Sequence, residues 1–462
     1  MIKTAKVALV NPPTMKGVFH HHPYLPIGLA YLAAVLEEKG NEVLVLDCLA
    51  SNIDHAKLKE KLASFNPTVI GISSMTPMVP STMLAAKEAK EACPNATVVL
   101  GGPHATFMDT EILTQESAVD VIVRGEGEQT LLELTQKIVS QESFSAVEGI
   151  TFKKEGQILQ NPSRPYIQNL DELPFPAYKH FPLDKYRLFG KLFFPVITSR
   201  GCPFQCSFCT SSRILGKQYR ARSAKNIGDE LELLKNEFNA DSFTFYDDTL
   251  TLDSKRIFEI CGEIKSRKIY IPWDCQTRVD QVSEEILAEM KQTNCQQIFF
   301  GVESGCQDVL DWVKKRTTAE QNEKAIKMAK KAGLFVAISI IIGYPGETAE
   351  MRKQTLEFIR RAEPDDVYLC FATPYPGTEL RQLVEKMGLK MSRQWERYDT
   401  TTPVFENPLL ADEEAFRLRR EFYDSFYSPS YAFRHLFNQN FYSRIMARVA
   451  LNHIVWRVKS HF

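Results

Sequence analysis

The 462-residue chain has no run of eighteen apolar residues, which argues against a spanning helix. Its start, MIKTAKVALVNPP, has no h-region of signal-peptide length, which argues against export. Charge bias is also missing. The 56 Lys and Arg against 57 Asp and Glu leave a formal net charge of −1, so overall electrostatics do not favour a nucleic-acid partner. No GxxxxGK[ST] loop occurs, and GxGxxG is absent after the first apolar run, so neither common nucleotide fingerprint is present. Disulfides are not expected: ten cysteines in a chain without an export signal point to thiols or a metal site. Seven of them, Cys48, Cys93, Cys261, Cys275, Cys295, Cys306 and Cys370, are scattered and read as small core residues.

What remains is a globular composition, 44% apolar and 24% charged, at a length that suits two domains and a smaller extension. In residues 1–140 five short apolar runs, VALV (7–10), EVLVLD (42–47), TVIGIS (68–73), ATVVLGG (96–102) and AVDVIV (118–123), alternate with other stretches. Helical periodicity marks 29–40, 79–93 and 127–138 between them, so a mainly parallel α/β sheet is expected. Ligands of such sheets sit beyond the carboxyl ends of the strands. The unusual loops fall there: NPPTMKG (11–17), GISSMT (71–76), GGPHAT (101–106) and VRGEGE (123–128). Residues 141–190 lose the repeat, with a hairpin expected at 149–159 and a proline-broken connector at 169–186. Residues 191–385 resume it. Six strands, at 192–204, 242–248, 270–275, 297–305, 335–346 and 367–374, alternate with five helices, as in a barrel that stops short of eight.

The first of those strands runs into RGCPFQCSFCT (200–210), which holds Cys202, Cys206 and Cys209. A closed zinc site needs four ligands and usually pairs CxxC twice, but no second CxxC follows. Thiolates also hold iron–sulfur clusters. Three thiolates on a four-iron cluster leave one iron open to a bound molecule. CxxxCxxC in this context closely resembles the radical S-adenosylmethionine signature. The loops NPP, GISSMT, GGPHAT and RGEGE resemble the cobalamin-binding domain that precedes the catalytic domain in the cobalamin-dependent members of that family.

The resemblance implies a Rossmann-like cobalamin-binding domain over 1–140, a linker with a hairpin over 141–190, a partial (β/α)6 radical barrel over 191–385 and a mostly helical extension over 386–462. It implies three cofactors: a [4Fe-4S] cluster on Cys202, Cys206 and Cys209, S-adenosylmethionine on its open iron, and cobalamin. Ser73, Ser74, Met75, Thr76, Gly101, Gly102 and Pro103 would line the cobalamin site, with Glu126 among the cofactor contacts. His104 stands near the corrin, although the DxHxxG segment that ligates cobalt elsewhere is missing. Phe208, Glu303 and Gly343 would contact S-adenosylmethionine; Asp248 (or Asp247) and Tyr375 would face the reaction. HHH at 20–22 is open between a metal, corrin or substrate contact and a solvated loop. The implied partner is a low-potential donor, flavodoxin or ferredoxin, and the implied chemistry is a 5′-deoxyadenosyl radical with methyl transfer from methylcobalamin. Methylation of an unactivated carbon is therefore expected. Cyclisation or rearrangement without methyl transfer, and a non-catalytic cobalamin- or redox-responsive binding protein, stay open. Methylthiolation of tRNA would want three further cluster cysteines in the N-terminal domain.

From Tyr431 onward the chain has no Asp or Glu but carries Arg434, Arg444, Arg448, Arg457 and Lys459. Residues 440–459 read as an amphipathic helix with Trp456, suited either to a membrane interface or to docking on the barrel. The first use favours a lipid-like substrate and a cytoplasmic protein, peripheral on the inner face of the membrane. No nucleic-acid groove is expected.

Overall fold

The computed structural model describes residues 4–14 and 24–459, with side chains described up to residue 456. The histidines at 20–22 lie outside the described residues. The first seven strands are β1 (Lys6–Asn11), β2 (Glu42–Asp47), β3 (Val69–Ser73), β4 (Thr97–Gly101), β5 (Val121–Val123), β6 (Ile150–Lys154) and β7 (Gln157–Gln160). They form one sheet in the order β2-β1-β3-β4-β5-β6-β7. The first five are parallel, and the β6–β7 hairpin adds antiparallel to β5, so it extends the N-terminal sheet.

Side-chain alternation explains the two covered faces. Val7 and Leu9 face α1 (Ile27–Glu38) and α6 (Glu128–Ser140) in one cluster, whereas Ala8 and Val10 face α2 (His55–Phe65) and α3 (Val79–Ala92) in another. Two short helices, α4 (Pro103–Phe107) and α5 (Asp109–Gln115), follow β4. Helix α2 has no counterpart among the expected helices, because it buries only Leu58 and Leu62 and is otherwise polar.

Strands β8 (Arg187–Leu188) and β9 (Lys191–Val196) open the second unit. A small antiparallel pair, β10 (Ser199–Arg200) with β11 (Arg220–Ala221), brackets the cysteine loop and its short helix α7 (Ser211–Ile214). Then α8 (Ala224–Phe238), β12 (Ser242–Phe245), α9 (Ser254–Ser266), β13 (Trp273–Arg278), α10 (Glu284–Gln292) and β14 (Cys295–Glu303) follow. After α11 (Gln307–Trp312) come α12 (Ala319–Lys331), β15 (Phe335–Ile342), α13 (Ala349–Ala362) and β16 (Asp366–Phe371). The sheet order is β16-β15-β14-β13-β12-β9-β8, parallel from β9 to β16 with β8 antiparallel at the edge. The six-stranded, open (β/α)6 barrel is thus present.

One strand sits later than expected. β13 starts at Trp273, since Pro272 has no N–H to pair, and it continues through the polar Gln276 and Arg278. The helices pack on the outer face against Phe243, Phe245, Ile298, Phe300, Val336 and Ile338. Thr244, Asp274, Glu303 and Ser339 share the inner face, where Thr244 donates to Asp274 and Ser339 to Glu303, both at 2.9 Å.

The chain ends in α14 (Glu379–Lys386), α15 (Asp412–Phe426), α16 (Pro429–Leu436) and α17 (Phe441–Lys459). The start of α17 docks on the barrel near the first residues of its strands. Tyr442 donates to Asp274 at 2.5 Å and Asn440 to the Gln296 carbonyl at 2.8 Å. Among the described residues no helix is long and apolar enough to cross a membrane.

Candidate active site

In a sheet ordered 2-1-3-4-5, the strand order reverses between β1 and β3, and loops diverge there to leave a crevice. Asn11 donates to buried Asp47 at 2.9 Å, which ties the end of β1 to the end of β2. After β3, the Ser74 N–H donates to the Gly101 carbonyl and the His104 N–H to the Ser74 carbonyl. Gly102 has φ +101°, and a Cβ there would stand 3.0 Å from the Ser74 carbonyl oxygen. Only glycine fits that approach. The buried Ser74 hydroxyl has no hydrogen-bond partner among the described residues.

These loops form one wall of a cavity of about 480 Å³. Thr14, Met75, Thr76, Met78, Pro103 and Phe107 line it from the N-terminal unit; Thr210, Tyr375, Pro376, Glu396 and Asp399 line it from the other side. Thr210 directly follows Cys209. The cavity therefore joins the β3 and β4 loops to the cysteine loop. The broad, mostly apolar wall fits a large flat ligand such as a corrin; of the residues expected to hold it, Met75, Thr76 and Pro103 line the cavity, whereas Ser73, Ser74, Gly101 and Gly102 do not.

The cysteine loop is shaped by close approaches and by charge. Gly201 has φ +89°, and a Cβ would fall 2.1 Å from the Gln218 carbonyl oxygen, so the turn into Cys202 admits only glycine. Cys202, Cys206 and Cys209 are all reduced and half-buried. Burial pushes the Cys202 thiol up to about 11, and it also raises Cys206 against the opposing pull of Lys315 and Arg278. Thiols in that state bind metal by giving up their protons. Donors already point at the sulfurs: the Ser211 N–H lies 3.5 Å from Cys209 Sγ, and Arg278 Nη1 lies 4.0 Å from Cys206 Sγ. No three His, Cys, Asp or Glu side chains among the described residues converge on one metal ion. Three half-buried thiols on one short loop, with N–H groups aimed at sulfur, fit an iron–sulfur cluster.

Glu303 ends β14 in a register shift against β15 with φ +69°, a left-handed backbone that is strained in a residue with a Cβ. Its carboxylate is buried and accepts from Lys315 Nζ and from Ser339 Oγ, both at 2.9 Å. Gly301 leaves room for that pair, since a Cβ would meet both Glu303 Oε1 and Lys315 Nζ inside 3 Å. Arg278, Asp280 and Lys315 were missed by sequence reasoning. The only sequence signal for Arg278 is a charge at the end of a strand read as ending earlier; Asp280 and Lys315 lie outside the strands and carry none.

Several expected contacts have other partners. Glu126 does not face the cavity: its buried carboxylate takes Arg200 at 3.1 Å and Arg220 at 2.9 Å, and it accepts the Ile167 N–H at 2.8 Å. Glu128 takes Arg200 at 2.5 Å, so the two acids of RGEGE clasp the β10–β11 pair that frames the cysteine loop. His104 is buried, 3.3 Å from Thr76 Oγ1 and edge-on to Trp395 at 4.8 Å. Burial holds it down to about 4, which keeps it neutral, and it does not line the cavity. Both backbone polar atoms of Gly343 are engaged: its N–H donates to Glu347 and its carbonyl accepts from Asn407 at 2.9 Å. Asp247 accepts from Thr198 and Ser199 and braces the end of β9, a structural task. Asp248 instead stands near Ser211 and Cys202, its carboxyl raised by burial. Tyr375 lines the cavity, but its hydroxyl donates to the Tyr398 carbonyl at 2.7 Å. Phe208, inside the cysteine loop, packs 6.4 Å from Tyr344.

Residues 21–135 match the B12 binding domain family and residues 196–359 the Radical SAM superfamily. The chain is 36% identical over 428 residues to an uncharacterised methyltransferase of Pyrococcus horikoshii, spanning 92% of this chain and 93% of that protein. It is 32% identical over 397 residues to the anaerobic magnesium-protoporphyrin IX monomethyl ester cyclase of Rubrivivax gelatinosus, spanning 82% and 70% respectively. Its fold is similar to that of the radical S-adenosylmethionine methyltransferase TsrM of Kitasatospora setae, solved with cobalamin and a [4Fe-4S] cluster bound. The TM-score is 0.77 at 18% identity, over 97% of this chain and 100% of that one.

Proposed function

The chain belongs to the cobalamin-dependent radical S-adenosylmethionine family, and from that premise we propose that it methylates an unactivated carbon of a hydrophobic, lipid-like small molecule. The observation that carries the reading is the single cavity running from the β3 and β4 loops to Thr210 beside the cysteine loop. One space bordered by both cofactor regions suits a substrate held between them.

In this reading Cys202, Cys206 and Cys209 hold the cluster, and Ser73, Ser74, Met75, Thr76, Gly101, Gly102 and Pro103 hold cobalamin. Glu303 and Phe208 border S-adenosylmethionine. When bound, the cluster and S-adenosylmethionine supply a 5′-deoxyadenosyl radical on reduction, and cobalamin supplies the methyl group. The protein's own part is positioning and exclusion of water. Lys315 and Ser339 fix the Glu303 carboxylate in one orientation. With the corrin on the wall of the β3 and β4 loops, Tyr375 and Pro376 give the facing side of the cavity an apolar surface against which an apolar substrate excludes water. Asp248, beside Ser211 and Cys202, takes the substrate-facing role at the barrel mouth in this reading. Tyr375 contributes its ring, since its hydroxyl is committed to Tyr398.

The similarity to a cyclase keeps a second outcome in view, radical ring closure without methyl transfer. Anaerobic turnover of the cluster-reconstituted, cobalamin-loaded protein separates the two. With reductant, S-adenosylmethionine and candidate lipid extracts, 5′-deoxyadenosine and S-adenosylhomocysteine should rise together. Deoxyadenosine alone would move the assignment to cyclisation or rearrangement. Neither product from protein with both cofactors intact would sink the enzymatic reading.

The electron enters from a flavodoxin or ferredoxin in this scheme. The exposed end of the molecule favours a peripheral lipid contact: Phe433, Phe437 and Trp456 are 69%, 72% and 54% exposed, and no acid follows Tyr431 in the chain. Aromatic rings among arginines suit an anionic lipid surface. Flotation with vesicles containing anionic lipid should carry the wild type and leave a Phe433→Ser, Phe437→Ser variant behind. Equal flotation of both would remove this contact.

A further inference from the structure

We propose that Arg278 is a positioning residue that raises the reduction potential of the cluster held by the cysteine loop; this rests on the reading that Cys202, Cys206 and Cys209 hold such a cluster. Arg278 ends β13 on the inner face of the barrel and is buried, 4% exposed. Its donors are nearly all accounted for. Nε and Nη2 lie 2.9 Å from the two oxygens of Asp280, and Nη2 also donates to the Lys315 carbonyl at 2.8 Å. The guanidinium lies 3.6 Å from the centre of the Phe204 ring, inside the CxxxCxxC loop itself. Nη1 faces Cys206 Sγ at 4.0 Å.

The contacts to Asp280 and Lys315 would suffice to tie β13 to the loop before α12. They leave one edge of a permanently charged group turned to a thiolate sulfur. Lys315, the other buried cation nearby, donates to Glu303 at 2.9 Å, so both cations have a counter-ion; what sets Arg278 apart is the Nη1 edge that faces sulfur. An N–H directed at a ligand sulfur draws electron density from the cluster and favours its reduced form. Asp280 opposes this by sharing the guanidinium charge.

The two partners therefore act with opposite signs, which a merely structural role does not produce. The test is an anaerobic redox titration of the full-length, cluster-reconstituted protein, followed by electron paramagnetic resonance, after iron and sulfide are counted. Arg278→Gln should shift the midpoint to a more negative potential, and Asp280→Asn should shift it to a more positive one. Potentials equal to wild type, or shifts of the same sign in both variants, would overturn the proposal. If Arg278→Gln holds no cluster, the sign of the Asp280→Asn shift decides alone: positive supports the role, while zero or negative overturns it. A wild type without iron and sulfide would instead sink the underlying reading of the cysteine loop.

Discussion

Helices leave the carboxyl ends of both sheets, but they begin differently. The five crossover helices of the barrel, α8, α9, α10, α12 and α13, each start with a side-chain cap from Ser223, Asp253, Ser283, Thr318 or Thr348. In the N-terminal unit α1, α3, α4 and α6 start with none; only α2 is capped, by Asp54. The first turn of a helix has free N–H donors that some acceptor must satisfy. Helices that only return the chain bring their own acceptor. Among the uncapped starts, Met78 and Thr210 line the cavity, and Gly102 directly precedes the lining residue Pro103. Charge divides the molecule the same way. The β3 and β4 loops are held by backbone approaches without ions, whereas buried ion pairs of Arg200, Arg220, Arg278 and Lys315 hold the cysteine loop. A neutral cradle suits a broad ligand; a charged frame suits a loop whose own ligands become thiolates.

The comparison breaks most completely at the cysteines. Cys206→Ala should lose bound iron and sulfide and abolish 5′-deoxyadenosine formation, while cobalamin still titrates into the N-terminal unit by its absorbance. Next in size is the clasp. Arg220→Met leaves the Glu126 carboxylate short of a partner and should cost about 3–5 kcal/mol, measured by urea unfolding. An equal cost in Glu126→Gln would tie it to the pair.

Asp274 gives a pH signature where α17 docks. Burial raises its carboxyl to about 6, above the ordinary range. At low pH both folded and unfolded chains hold the proton, and burial costs nothing. As pH rises towards about 6 the unfolded chain has already released the proton that the folded chain still holds, so stability falls by about 3 kcal/mol and levels off above that pH. Asp274→Asn should remove that decline, and the stability difference from wild type should grow from acid to neutral pH in parallel urea titrations.

Gly102→Ala should cost about 1–2 kcal/mol through its left-handed backbone. The same change should weaken cobalamin retention on a desalting column more than it weakens iron content. The smallest effect is at the caps: Thr348→Ala should cost about 1 kcal/mol and leave both cofactors bound.

Much of this was legible in the chain because it is local. The CxxxCxxC loop, the β6–β7 hairpin and the alternation of buried strands with amphipathic helices need only neighbours within a few residues. Helix α2 escaped notice because two leucines among lysines give too thin an apolar stripe. The end of β13 escaped because the barrel interior wants polar side chains where a strand is expected to be apolar.

Tertiary structure alone decided who pairs with whom. Glu126 in RGEGE reads locally as a cofactor contact, yet its partners Arg200 and Arg220 lie 74 and 94 residues away. Asp274 meets Tyr442 across 168 residues, and Arg278 reaches Cys206 across 72. Local propensity and periodicity specify elements, but a buried charge is stable only beside its counter-charge. Which charges meet is set by the folding of one sheet against another.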